Sequence, residues 1–385
     1  VRRILPKIFA LRGLRGHGRL AIRKKSKASP MRLSVLDQST ASKGKTQDTA
    51  IRETLELARL CDALGYHRYW LSEHHNSGTI VGTAPEILMS AIAATTPRIR
   101  VGSAGVMLPH YSALKVAEQF RVLEAIAPGR IDLGIGRAPG SDQLTSYALN
   151  PNPQNVLDQF PRQVQELQHW VSGKPLPEGH PFHRIAAQPT GPTTPELWIL
   201  GSSDYGAQLA AYFGLPYAFA YFFSEGTGVE QALELYRKNY RPSELNPKPI
   251  ATICVWALAG DTEEEALRQS KTRERAIVDR RQGIRLPLMP PEEAERPYSA
   301  AELATAEKLR RKAIVGSSEQ VATRLKELAG NLGLDELVIV TWTYAAAPRH
   351  RSYELLAQAF ELGKRRPPPG PSRLSVIHAG EPEDD

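Results

Sequence analysis

The chain is poor in cysteine: two in 385 residues, Cys61 and Cys254, far apart in the sequence. Each falls in an apolar, periodic segment. This excludes a disulfide scaffold and reads as two buried free thiols of a reducing, cytoplasmic compartment. With so few thiolates and no H-E-x-x-H pattern, a metal centre is not expected. The sequence also lacks any run of 18 or more apolar residues, so no membrane-spanning helix is expected. Acidic residues are missing from positions 1–30, where ten Lys/Arg fall. Those ten exceed the whole net charge of +8 and leave −2 on the rest. The body therefore carries no electrostatic footprint for nucleic acid.

Three readings of residues 1–30 stay open: an arginine-rich transit peptide, a nucleic-acid-binding arm, or a stretch outside the native protein. The chain begins with Val1, and Met31 stands at the first residue of the first clear strand. Met31 is therefore expected to be the true start or an alternative one. At the other end, residues 363–385 are proline-rich and then acidic, and read as a disordered tail. The folded body is expected over residues 31–362.

Within that body, apolar strands alternate with amphipathic helices. Strands are expected near residues 34, 69, 104, 133, 199, 220, 255 and 339, each followed by helix. Eight β-α units over about 330 residues fit a closed (β/α)8 barrel of the α/β class better than an open sheet. Residues 138–152, 173–196 and 283–299 read as long loops, the last a proline-rich surface insertion. All three are expected to shape and cover a pocket.

In such a barrel the chemistry sits at the carboxyl ends of the strands. Arg130–Arg137 reads as a buried strand ending in Gly136 and Arg137, whose guanidinium can grip a phosphate by two parallel hydrogen bonds. A surface ion pair is the structural alternative. Gly201-Ser202-Ser203 lies between a strand and the first turn of a helix, where free N–H groups and two hydroxyls can hold an anion. Alternatively, one serine only caps that helix. Glu73-His74-His75 follows the second strand. Adjacent residues on extended chain point to opposite sides. One histidine is thus expected to face the pocket while the other packs or pairs with Glu73. Gly102-Ser103-Ala104-Gly105 places glycines inside a strand, the mark of a bulge, a close ligand or tight packing.

Together and in order, Trp70–His75, Arg100–Pro109, Pro128–Arg137, Gly201–Ser203 and Phe213-Gly214-Leu215-Pro216 resemble the bacterial luciferase-like flavin monooxygenases. The resemblance spans about residues 31–362. It implies a (β/α)8 barrel with an insertion, a homodimer, and reduced FMN at the carboxyl face. It further implies oxidation of a small organic substrate by O2 through a C4a-peroxyflavin, with the flavin supplied by a separate reductase. By the same resemblance, Arg137 and Ser203 match the flavin-phosphate contacts, with Ser202 beside them. His74 matches the histidine at the reacting edge of the flavin and is the candidate proton donor or acceptor. Ala104-Gly105 matches a non-proline cis peptide beneath the isoalloxazine, and Tyr221 an aromatic wall. Gly136 stands where luciferase has a reactive cysteine and Ser202 where it has a glutamate, so light emission is not implied. The alternatives are an F420-dependent hydride-transfer oxidoreductase, a flavin-binding protein without turnover, and a nucleic-acid binder resting on residues 1–30.

Overall fold

The computed structural model describes residues 31–138, 140–151 and 156–364. The expected leader, and the expected tail beyond residue 364, lie outside the described residues. The elements run β1 (Arg32–Asp37), α1 (Gln47–Leu64), β2 (Arg68–Leu71), α2 (Pro85–Thr95), β3 (Arg100–Met107), α3 (Ala113–Ile126) and β4 (Ile131–Gly136). Next come α4 (Gln143–Leu149), α5 (Val156–Ser172), β5 (Glu196–Gly201), α6 (Asp204–Phe213), β6 (Tyr217–Phe219), α7 (Tyr221–Ser224) and α8 (Val229–Asn239). The chain then forms β7 (Ala251–Gly260), α9 (Glu263–Arg281), α10 (Pro291–Ala294), α11 (Ala300–Lys312), β8 (Ile314–Ser317), α12 (Ser318–Leu332), β9 (Glu336–Val340) and α13 (Ala346–Ala359).

Strands β1 to β7 and β9 pair in parallel, and β9 returns to β1, so the expected eight-stranded barrel is closed. The helices fall where their periodicity places them. In α1, Ala50, Thr54, Leu57, Ala58 and Cys61 are buried at spacings of three and four. Gly65 then ends the helix in the left-handed conformation at φ 86°. Both cysteines are buried and free, and burial pushes both thiols well above their ordinary range.

Three expectations need correction. A ninth strand, β8, pairs with the far end of β7, beyond the barrel wall. Its four residues between two helices are too short to show a period. The polar stretch at 138–152 contains a helix, α4, whose N-cap Asp142 accepts from Thr145 N at 2.9 Å. The excursion at 173–196 does not cover a pocket at the carboxyl ends. It feeds the amino end of β5 and is pinned by Arg121 of α3, which donates to the carbonyls of Pro189 and Thr193 at 2.8 and 3.1 Å. A helix-to-strand connection necessarily reaches the face opposite the site.

The insertion at 283–299 is more than surface decoration. Leu288 is fully buried against the barrel-interior cluster. Its backbone pairs with Ala41 and Lys43 at 2.8 Å each, and Thr79 donates to Leu286 O at 2.6 Å. The segment thus straps α9 to the loops that follow β1 and β2.

The barrel interior is layered. At the amino end Arg68 donates to Asp132 (2.9 Å), Glu196 (2.6 Å) and Glu336 (3.0 Å). Burial raises the Asp132 carboxyl, but Arg100 and Arg68 outweigh it and hold the group well below the ordinary range. Above this layer Trp70 and Trp198 meet edge to face with centroids 5.1 Å apart. Their indole N–H groups donate to Asp132 and Glu196 at 2.9 and 3.1 Å. A methyl group at Gly102 would sit 2.7 Å from Trp70 Cδ1 and 2.6 Å from Asp132 Cβ. Tight packing thus accounts for that glycine. The charged layer and the tryptophans form the floor of the cavity at the other end.

Candidate active site

The carboxyl ends of β2, β3, β4, β5 and β7 define the site. After β2 the chain leaves the sheet as Ser72-Glu73-His74-His75, and the two histidines diverge. His75 Nε2 lies 2.8 Å from Glu73 Oε1. Glu73 also accepts from the Tyr111 hydroxyl at 2.6 Å and from Met107 N at 3.1 Å, fastening this segment to the end of β3. His74 faces away from that network. Its backbone N donates to Gly82 O at 3.0 Å and its Nδ1 lies 3.3 Å from Ser72 Oγ. Among the described residues nothing hydrogen-bonds its Nε2. Burial, then the charge of Arg280, push His74 down to about 4, so the ring is neutral at physiological pH. The sequence leaves His74 open as donor or acceptor. A neutral imidazole keeps both possibilities, donating from one ring nitrogen and accepting at the other.

On β3 the Ala104–Gly105 peptide is cis. The register against β4 shifts between Ala104 and Val106. A side chain on Gly105 would sit 2.4 Å from Leu200 Cδ1 and 2.8 Å from Gly134 O, so the shelf is held from below by β4 and β5. Gly136 differs: a side chain there would meet open space. Bare backbone therefore lines the cavity at the end of β4.

Arg137 follows directly and is exposed. Its Cζ lies 4.0 Å from the ring centroid of Tyr205, in the first turn of α6. That stacking brings the arginine to the helix start where Ser202 and Ser203 stand. Ser203 is the N-cap residue but makes no side-chain capping bond, and both serines are exposed. The capping alternative is therefore not what the hydroxyls do. Arg137 thus stacks on the first turn of the helix whose start carries Ser202 and Ser203, both exposed and, among the described residues, without a side-chain hydrogen bond.

Tyr221 does not join this group. It opens α7 and packs against Gly226 and the cluster between barrel and outer helices. Phe222, one residue on, packs against the interior cluster instead. Consecutive residues of a helical turn point about 100° apart, so Tyr221 and Phe222 present their rings to different surroundings.

Three residues escaped the sequence reading: Trp256 in β7, level with the carboxyl end of β9, and Arg273 and Arg280 on α9. Arg273 stacks over Trp256 at 4.3 Å. A signal was present in the arginines seven apart on one helical face, with Ala276 and Ile277 between them. Among the described residues no group of three His, Cys, Asp or Glu could hold a metal, and no helix is long and apolar enough to cross a membrane.

Comparison with known proteins agrees with this geometry. Residues 31–336 match the family model described as luciferase-like monooxygenase. The uncharacterized protein YwcH of Bacillus subtilis is 44% identical over 330 residues, 85% of this chain and 98% of its own. The N-acetyl-S-alkylcysteine monooxygenase of the same organism is 37% identical over 344 residues, 87% of this chain and 100% of its own. The crystal structure of apo-MsnO8 superposes with a TM-score of 0.79 at 36% identity, covering 86% of this chain and 99% of that one. On the strength of the family match and these relatives, the chain belongs to the luciferase-like monooxygenases.

Proposed function

We propose that this chain is a monooxygenase that uses reduced FMN and O2 to oxidise a small organic substrate. The observation that carries the reading is the convergence of Arg137 with Ser202 and Ser203 at an open helix start, next to the Ala104–Gly105 shelf. That donor set fits a phosphate. The shelf and the open space at Gly136 fit a flat ring system. Bound there, reduced flavin supplies dioxygen activation and the delivery of one oxygen atom to the substrate.

The chain's own residues hold, orient and shield. Arg137, Ser202 and Ser203 hold the phosphate end. The Ala104–Gly105 backbone supports the ring from β3. His74 offers its neutral Nε2 as a hydrogen-bond partner at the reacting edge, with Nδ1 turned to Ser72. Trp70, Trp198, Trp256 and Trp342 make the cavity wall apolar, and the strap at 284–289 excludes water from one side. The reading also carries a separate flavin reductase and a homodimer.

One relative is named for N-acetyl-S-alkylcysteines, so such thioethers join aldehydes and alkanesulfonates in the test. In an oxygen electrode, reduced FMN with the right substrate is expected to consume O2 with a reduced yield of hydrogen peroxide. Labelled O2 should leave one labelled atom in the product. Full peroxide yield across the whole panel, with no binding of reduced FMN, would remove the proposal.

The state of His74 gives a pH prediction. A ring already neutral above about pH 4 leaves kcat flat as pH falls from 8 toward 5. His74→Gln, a neutral hydrogen-bonding replacement, should cost less than the ~100-fold at which general acid–base contributions begin. An acid limb in kcat with a midpoint near 6.5, abolished by that substitution, would show that His74 works as a titrating acid instead.

A further inference from the structure

The cavity has a second cationic wall, on α9, which the flavin reading does not use. Arg273 is 5% exposed, yet among the described residues its guanidinium donates no hydrogen bond. Its facing acid is Glu225, whose Oε1 is 3.8 Å from Nη2, beyond hydrogen-bonding range. The guanidinium is instead held by stacking over Trp256 at 4.3 Å. Trp256 is itself 5% exposed, and its buried Nε1 has no hydrogen-bond partner. By strand alternation its side chain points inward with Cys254 and Leu258, all three in the barrel-interior cluster. A buried N–H without an acceptor is costly unless a ligand completes it, and Trp256 Nε1 is such a group beside a guanidinium whose one ion pair is long.

Arg280 lies two turns further along the same face. Ala276 and Ile277, between the two arginines, pack against the interior cluster, so this face of α9 looks onto the barrel mouth. The opposite face carries the insertion through Thr272 and Arg275, which donate to Met289 O and Arg296 O at 2.8 and 2.7 Å. The charges felt at Arg280 are those of Arg285 and Arg281, and its own is felt at His74. Burial pushes Arg273 down to about 10, with Glu225 pulling the other way. The positive charge on this wall is thus poorly compensated and stands opposite the candidate catalytic histidine.

We infer that Arg273 and Arg280, with Trp256 Nε1, form the receptor for an anionic group on the substrate, a carboxylate or sulfonate. The inference rests on the proposed monooxygenase reading, since it places that anion across the cavity from Arg137 and the phosphate site. The substrate is then a small organic anion whose oxidised atom lies between the α9 wall and His74.

The test uses the full chain and four probes that share a six-carbon tail: hexanoate, hexanesulfonate, hexanol and hexylammonium. Binding is read by quenching of tryptophan fluorescence and by calorimetry, without flavin. Both anions are expected to bind at least about tenfold more tightly than the alcohol, with the ammonium excluded. Arg273→Gln and Arg280→Gln should each bring the anions toward the alcohol's affinity, and Arg273→Lys should restore part of the difference. Circular dichroism checks that each variant folds, and Arg280→Gln, at an exposed position, reports even if Arg273→Gln does not fold. Equal affinity for alcohol and anions, no measurable anion binding, or undiminished anion binding in Arg280→Gln would overturn the inference. FMN titration of the same variants separates the two readings. Loss of FMN affinity in parallel with anion affinity would assign these arginines to the flavin phosphate and overturn the anion receptor. Absence of FMN binding to the parent protein would instead count against the monooxygenase reading, with the anion preference still read directly.

Discussion

Replacing Arg68 with methionine lowers the stability of the barrel by about 3–5 kcal/mol, the range for breaking a buried charge network from one side. The reason is the company Arg68 keeps. One guanidinium reaches Asp132, Glu196 and Glu336 on three different strands, at 2.6 to 3.0 Å. Arg100 also binds Asp132, and Arg32 lies 3.5 Å from Glu336, but neither reaches all three carboxylates. Without Arg68, Glu336 and Asp132 remain buried beside one another with one cation fewer. The guanidinium also lies 4.9 Å from the Trp198 ring centroid, so its loss loosens the tryptophan floor of the cavity. Urea denaturation measures the stability and near-ultraviolet dichroism follows the tryptophans. Adding Glu336→Gln to Arg68→Met should recover part of the loss, because it removes one stranded charge. A loss below about 1 kcal/mol would mean that the layer is no more than a set of surface-like ion pairs.

Arg137→Ala weakens FMN binding by about 30-fold or more, the equivalent of about 2 kcal/mol for charge-assisted hydrogen bonds. Riboflavin, which lacks the phosphate, should lose little. Stability should hardly change, because Arg137 is exposed and, among the described residues, packs on Tyr205. Arg137→Lys keeps the charge but not the planar fork or the stacking, and should recover only part of the affinity. If FMN and riboflavin weaken equally, Arg137 acts on the ring or on the loop and not on the phosphate.

The sequence revealed the barrel because its signal is repeated. Each β-α unit shows the same change of period, and a boundary error in one does not disturb the count. The divergence of His74 from His75 was also legible, since alternation along an extended chain decides it. Other features were hidden for physical reasons. The amino-end layer is built from charged residues at the starts of strands, Arg68, Arg100, Glu196 and Glu336, with Asp132 one residue in. A strand start reads as solvent-facing until closure of the barrel turns all these positions inward. Strand β8 is too short to carry a period. Tyr221 and Phe222 differ by one step on a helical turn, and only packing shows which cluster each ring meets. The α9 arginines carried no sequence signal strong enough to name a site, because the fold, not the sequence, lays Ala276 and Ile277 against the barrel interior.

The proposed function requires a phosphate-bearing flavin at the carboxyl ends of β4 and β5. Its most direct test is an anaerobic titration of the protein with reduced FMN, in parallel with reduced riboflavin and reduced F420. The account predicts that reduced FMN binds tightest, with riboflavin weaker by about 30-fold or more. Tighter binding of F420, or equal affinity for FMN and riboflavin, would contradict it.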